Sequence, residues 1–403
     1  MLSQELFRHN RHLLRSSLQG ELIILAANGL LQRSGDTVYP FRQDSNFYYL
    51  TGIEQPDVLL VINGKSEFLV LPKQSKAEMI FGGVFDLDLL KSQSGIQEIL
   101  FHTDGVSKIK SLLKTKPTVH TVLAPPLKVI HSDSFFTNAA RRQFVTQLKR
   151  WQPGVTLKDV RKILTKMRQI KQPEEIEAIK KAIECTGSGF DVLRRISKSG
   201  IYEYEVQAIL DQQFRSQNMV HGYAPIVAGG KNACVLHYIN NNQKLSRSHL
   251  LLVDAGAEYR NYSADITRTY HVDESYQNQR QQDVIEAVER IHKSVIAEVK
   301  SGMTWKAYDK LAKDLMIQEL STLGLVRGDV DKAVRTYFPH SIGHSLGLDV
   351  HDVCEYTELQ ENMVITCEPG IYIPEEGIGV RIEDDILITK DSATNLSEHI
   401  PYK

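Results

Sequence analysis

No stretch of the sequence reaches the roughly eighteen consecutive apolar residues that a membrane-spanning helix requires. The start, MLSQELFRHNRHLLRSS, has no apolar segment of the secretory kind, so the expectation is a cytoplasmic protein. Cysteine is scarce. Cys185, Cys234, Cys354 and Cys367 show no CxxC spacing, which argues against a disulfide framework and a thiolate zinc site and leaves them as small buried hydrophobes. Net charge is almost missing too: 48 Lys and Arg side chains against 49 Asp and Glu create no field that would gather nucleic acid or an anionic membrane. The expected partners are therefore small or locally recognised. At 403 residues and 42% hydrophobic, the chain can bury ample core and as a first estimate holds two to three domains.

What is present reads in two parts. ELIILAANG, FYYLTG, DVLLVIN and EFLVLP are β-rich runs separated by Gly, Pro and Asp turns, and the helical DGVSKIKSLLKT then alternates with HTVLAPP. That order predicts an α/β first domain. In LTKMRQIKQPEEIEAIKKA, Pro173 followed by Glu174 and Glu175 is a helix start, with acids facing the positive dipole end, so a new domain opens by about residue 170. Helices are expected at about 174–196 and 202–217, then strands around APIVAGG, VLHY, HLLLVDAG and SADITRTYHV. Helices at about 279–300 and 305–323 follow, then strands in NMVITCEPGIYI and GIGVRIEDDILIT. The repeated order of helix pair and strands hints at an internal duplication.

Three histidines and two aspartates crowd HSIGHSLGLDVHD, residues 340–352, and Gly343 and Gly347 interrupt any helix that would align His340, His344 and His351 on one face. Elsewhere, Asp254 and Asp265 flank the polar segment AEYRNYS. If that segment is a hairpin turn, the two carboxylates face each other at about 5 Å. Glu368 and Glu383 flank PEEG in the same way. Two opposed acid pairs beside apolar strands repel unless a cation lies between them. With one histidine of the 340–352 stretch added, four carboxylates and a neutral imidazole balance two divalent cations. The oxygen-rich set favours Mn²⁺ and is compatible with Co²⁺, Fe²⁺ or Zn²⁺.

VDAGAEYRNYSADITRT, HSIGHSLGLDVHD, CEPGIYI and VRIEDDI, in this order and spacing, resemble the dinuclear metallopeptidases of the pita-bread fold. RSGDTVYPFRQDSNFYYLTG and MRQIKQPEEI are similar, within that fold, to Xaa-Pro aminopeptidases, with prolidases as close relatives. The resemblance implies an α/β N-terminal domain (creatinase/prolidase N-terminal-like) over 1–165 and an α+β pita-bread catalytic domain over 166–403. It implies metal ligands at Asp254, Asp265, His344, Glu368 and Glu383, with Asp265 and Glu383 bridging two ions and Glu368 also handling the proton of a metal-bridging hydroxide that attacks the peptide. His237 and His351 match outer histidines near the scissile carbonyl, His340 and Tyr372 the proline side of the cleft, and Arg381 an arginine supporting the metal shell. Asp349 and Asp352 are left as loop caps.

The implied reaction is release of the first residue from Xaa-Pro-Yaa peptides by a homo-oligomer, dimer or tetramer, with no nucleic acid or membrane partner. Relative to the bacterial aminopeptidase pattern, the segment after VHD and the turn between Tyr372 and Gly377 are shorter, and both flank the cleft. In some relatives an aromatic residue of a neighbouring subunit closes the cleft, and Phe81 is the candidate here. The alternatives are a prolidase, which shares every ligand, and a catalytically dead pita-bread binding module or a creatinase-like metal-free hydrolase. Retention of all five ligand positions argues against the last two.

Overall fold

A computed structural model describes residues 2–123, 140–196, 198–273, 275–276 and 278–402. The chain divides into two compact units, Met1–Met167 and Arg168–Lys403.

The first unit is built on a six-stranded mixed sheet ordered Ile99–Phe101, Ser66–Leu71, Leu59–Asn63, Leu22–Ala26, Thr118–Thr121 and Thr156–Asp159. Leu22, Ile24, Val61, Phe68 and Val119 from the strands pack with Ile109 and Leu113 of the helix His102–Thr115. One expected strand is a helix instead. FYYLTG lies in the helix Ser45–Thr51, because Asp44 accepts the Phe47 N–H at 2.9 Å and Gly52 closes the C-terminus in the left-handed region at φ 66°. Caps at both ends outweigh the strand preference of three aromatics. The helix Lys76–Gly82 buries none of its residues, and its Phe81 is 91% exposed.

In the second unit, helices Pro173–Ile196 and Glu203–Ser216 precede a sheet of Ile226–Gly229, Leu250–Ala255 and Ile266–His271. Helices Gln279–Glu298, Trp305–Thr322 and Val330–Tyr337 precede strands Val364–Cys367, Gly370–Ile373, Ile378–Arg381, Asp384–Ile388 and Ala393–Asn395. The order of helices then strands recurs as the sequence pattern suggests. The helix Val330–Tyr337 escaped that pattern because it is short, buries only Ala333 and Val334, and is set by its Asp329 cap. VLHY is not a strand either. It follows a 3₁₀ turn, Gly230–Cys234, in a segment whose backbone is held by side chains rather than by a ladder. Val288, Ile291, Trp305, Tyr308, Met316, Ile365 and Val380 lie at the centre of this unit's core. Among the described residues, no helix is long and apolar enough to cross a membrane.

Cys185 and Cys367 are buried as expected, whereas Cys234 and Cys354 are only half-buried. Asp352 is no loop cap. It is 3% exposed, and its carboxylate meets Arg168 at 2.5 Å and Lys171 at 3.2 Å, while Asp349 joins the same guanidinium at 2.8 Å. The basic residues of MRQIK thus lie beneath the histidine-rich stretch and fix its C-terminal end. Removing one partner of a buried ion pair leaves an uncompensated charge, so Asp352→Ala should cost about 3–5 kcal/mol in guanidinium unfolding. A loss below about 1 kcal/mol is the surface-pair value and would contradict this account.

Candidate metal centre

Two hairpins build the site. Asp254 ends the strand Leu250–Ala255 and Asp265 precedes Ile266–His271, but the register pairs Asp254 with Thr267, not with Asp265. The direct opposition expected from the sequence is therefore corrected by two positions. The turn is a two-residue one at Arg260 and Asn261, both at positive φ (52° and 63°), which centres the hairpin later than the polar segment does. Because the displacement is even, both aspartates keep the same face. Gly256 is required here: a Cβ would lie 1.7 Å from the Ala264 carbonyl oxygen.

The second hairpin has the expected register. Gly370 pairs with Arg381 and Cys367 with Asp384, so Glu368 and Glu383 fall opposite one another between the two paired stretches. A bridge between Thr267 and Glu383 joins the hairpins, and the Thr267 hydroxyl donates to Glu383 Oε2 at 2.7 Å. Into this angle the histidine-rich stretch brings His344 by bridging Ser345 to Ile365. A Cβ on Gly343 would lie 2.0 Å from the Thr366 carbonyl oxygen, so only glycine lets the stretch lie this close.

The side chains converge. One ligand atom each from Asp265, His344 and Glu383 lies within 4.8 Å of the others. His344 Nε2 is 3.3 Å from Asp265 Oδ2 and 3.6 Å from Glu368 Oε1. Arg381 touches Asp254 at 2.5 Å and Glu383 at 3.8 Å. The Tyr223 hydroxyl lies 2.5 Å from Asp254 Oδ1 and 2.6 Å from Asp265 Oδ1, tying the first acid pair together.

The electrostatics of the polypeptide alone are those of a site lacking positive charge. Burial pushes Glu368 up to about 7 despite His344 and Arg381 beside it, and burial followed by the neighbouring carboxylates raises Glu383 well above its ordinary range. Asp254 is also raised by burial, against the pull of Arg381. For His344, burial works downward but the hydrogen bond to Asp265 and the charges of Glu368 and Asp265 prevail, raising it to about 9. Asp265, His344 and Glu383, close enough to share one cation, fit a divalent metal, with Glu368 beside His344 and Asp254 beside Arg381 at the edge of the cluster.

Around this cluster, His340 Nε2 and the Tyr372 hydroxyl are 2.9 Å apart, and Arg381 donates to the same hydroxyl at 3.0 Å. Burial, then Arg381, lowers His340 to about 4, which keeps it neutral. His351 packs its ring edge-to-face on His344 at 4.3 Å. His237 is exposed on the irregular segment after the 3₁₀ turn, near enough to His340 that its charge contributes to that lowering. Sequence reasoning missed Tyr223, Thr267 and Asp385, whose carboxylate accepts the Asp265 N–H at 3.1 Å. Thr267 and Asp385 had a usable signal, since two residues beyond Asp265 or Glu383 in a strand is the same face.

The chain is similar to Xaa-Pro aminopeptidases over nearly its full length. Residues 177–390 match metallopeptidase family M24, and residues 7–121 match the aminopeptidase P N-terminal domain. The Xaa-Pro aminopeptidase of Haemophilus influenzae is 31% identical over 99% of this chain and 95% of its own length. Human Xaa-Pro aminopeptidase 3 is 31% identical over 99% of this chain and 84% of its own. Aminopeptidase P from E. coli, in its low-pH form, superposes with a TM-score of 0.89 at 29% identity, covering 100% of this chain and 97% of that one. Fold and site thus define a metal-dependent hydrolase of the pita-bread type. The chain belongs to metallopeptidase family M24, in its aminopeptidase P group.

The raised His344 has a measurable consequence. The folded, metal-free chain keeps a proton that the unfolded chain has lost between pH 6.5 and about 9, so stability falls as pH rises through that window. Glu368, held up to about 7, and Glu383, raised well above its ordinary range, act in the same sense as His344, whereas His340 acts in the opposite sense and only below pH 6.5. The unfolding free energy of chelator-treated protein should fall from pH 6.5 to 9, with His344 contributing at most about 3 kcal/mol. His344→Gln should flatten the profile, and an unchanged slope in that variant would refute the ion-pair account.

Proposed function

We propose that this chain releases the amino-terminal residue from Xaa-Pro-Yaa peptides, using two divalent ions with Mn²⁺ preferred. Asp254, Asp265, His344, Glu368 and Glu383 are the proposed ligands, Asp265 and Glu383 being shared. When bound, the ions supply Lewis acidity at the scissile carbonyl and a water made nucleophilic near neutral pH. Glu368, which stands 3.6 Å from His344, would accept the proton of the attacking water. His237 and His351 donate to the oxyanion that develops on the substrate. Asp254, neutralised on one oxygen by Arg381, receives the free amine and confines cleavage to the first residue.

The observation that carries the reading is the connected row His340, Tyr372, Arg381 and Asp254. The row lies beside the acid cluster, and the paired rings of His340 and Tyr372, 5.5 Å apart, support reading it as a wall for the proline ring. A prolyl nitrogen carries no hydrogen and its ring fixes the local backbone, so such a wall suits it and no acceptor is needed there. Another solved E. coli aminopeptidase P is a complex with the inhibitor Pro-Leu, and the relatives named Xaa-Pro aminopeptidase support the same position for proline here. Prolidase is the less favoured reading, because the similarity over both domains is to Xaa-Pro aminopeptidases. The proposal includes an N-terminal domain over 1–165, a catalytic domain over 166–403, a cytoplasmic location, and a dimer or tetramer in which Phe81 closes a neighbouring cleft.

Gly-Pro-Ala, Gly-Pro and Gly-Ala-Ala test it directly. Gly-Pro-Ala should lose glycine, and Gly-Ala-Ala should be cut far more slowly. Cleavage of Gly-Pro alone turns the assignment to prolidase, and equal rates on Gly-Pro-Ala and Gly-Ala-Ala remove proline specificity.

The histidines should separate by role. His344→Ala lowers bound metal, whereas His237→Ala and His351→Ala keep metal and lower kcat on the order of 10²-fold, as removal of an oxyanion donor does. Equal metal loss from His351→Ala and His344→Ala, measured by elemental analysis, would overturn this division.

A further inference from the structure

His237 lies on a segment with neither strand nor helix around it, yet an oxyanion donor must be placed within a fraction of an ångström. The segment is organised by one buried carboxylate. Glu203, the first residue of the helix Glu203–Ser216, is 0% exposed. Its Oε1 accepts the Gly229 N–H at 2.7 Å and the Asn232 amide at 3.0 Å. Its Oε2 accepts the Tyr238 hydroxyl at 2.8 Å and the Gln243 N–H at 2.7 Å. The Glu203 N–H returns a bond to the Gln243 carbonyl at 3.0 Å, closing a ring of contacts.

A carboxylate offers about four lone-pair positions, and here four neutral donors fill them. The positive end of its own helix supports the charge. All four donors come from residues 229–243, and Tyr238 is the immediate neighbour of His237. One turn along the same helix, Gln207 accepts from Asn241, which is 2% exposed and holds a left-handed φ of 44°. The opposite side of the segment rests on backbone: a Cβ on Gly379 would lie 2.4 Å from the Ala233 carbonyl oxygen, and Cys234 donates to the Ile378 carbonyl. Gly379 and Ile378 belong to the strand that ends in Arg381. The His237 segment is thus held between the first turn of one helix and the strand of the metal centre.

We propose that Glu203 is a positioning residue for the reaction, acting through His237. The inference rests on the reading that His237 meets the substrate. The Gln243 side chain also reaches the Gly229 carbonyl at 3.3 Å, and Asn241 reaches Val227 and Pro225, but Glu203 takes four bonds from the segment and joins it to the helix. Glu203→Gln places an amide donor against two existing donors and so releases one end of the segment while nearly preserving volume.

A double-mutant cycle of Glu203→Gln with His237→Ala, on the full chain loaded with Mn²⁺, tests it. Glu203→Gln alone should lower kcat about tenfold or more with KM and bound metal nearly unchanged. In the His237→Ala background the same substitution should cost less than about twofold. Losses that multiply would show that Glu203 supports the fold generally and would overturn the inference, leaving the role of His237 intact. A His237→Ala variant with normal kcat would remove the reading of His237 and this inference with it. If Glu203→Gln does not fold, Tyr238→Phe removes a single donor and must show the same loss of effect in the His237→Ala background.

Discussion

Four carboxylates gathered in a buried angle between two hairpins repel one another, and the chain is arranged around that repulsion. Arg381 is the cation in direct contact with Asp254, and it is shared with Glu383 at a longer distance. One guanidinium cannot balance Asp254, Asp265, Glu368 and Glu383. The remainder appears as raised carboxyl affinities for protons and as an imidazole held protonated at His344. A site that holds protons this readily without metal suits a cation from outside, and this links the electrostatics to the chemistry of the family.

Holding like charges in place demands backbone that cannot yield. The Thr267–Glu383 bridge joins the hairpins, and Arg268, buried completely, donates to the carbonyls of Thr267 and Glu383 at 2.9 and 2.7 Å and to Asp384 at 2.6 Å. The same guanidinium reaches the Ile400 carbonyl, so the C-terminal segment is fastened behind the ligands. Gly256 and Gly343 allow backbone to approach backbone where any side chain would collide. Each of these devices fixes the backbone from which a side chain of the cluster projects.

Much of this was legible because the site sits on regular elements. In a hairpin the mirror positions of two acids can be read from the turn, and for Glu368 and Glu383 the register follows that reading. For Asp254 and Asp265 the reading located the hairpin but misplaced its centre, since the polar segment AEYRNYS is longer than the two-residue turn inside it. What stayed hidden depends on contacts distant in sequence. Nothing in HGYAPIV announces that Tyr223 will join two aspartates, and Asp352 looks like any loop acid until Arg168 and Lys171 are brought beneath it. FYYLTG has strand composition, and only its two caps make it a helix.

His340 and His344 show why residue type alone could not assign the roles. They are four positions apart in one short stretch, and their surroundings drive them in opposite directions, to about 4 and about 9. His340 is buried against Arg381 and the Tyr372 hydroxyl, so a proton on it meets low dielectric and a like charge. His344 is nearly as buried, but it points at Asp265 and Glu368 instead. A neutral imidazole can line a wall for a proline ring without drawing the acids toward it. A protonated one must give up its proton before it can bind a cation, so metal affinity at His344 is tied to pH in a way that His340 is not. Glu368 stands 3.6 Å from each imidazole, so the difference between the proposed lining residue and the proposed ligand is made by what else the fold supplies, Arg381 in one case and Asp265 in the other.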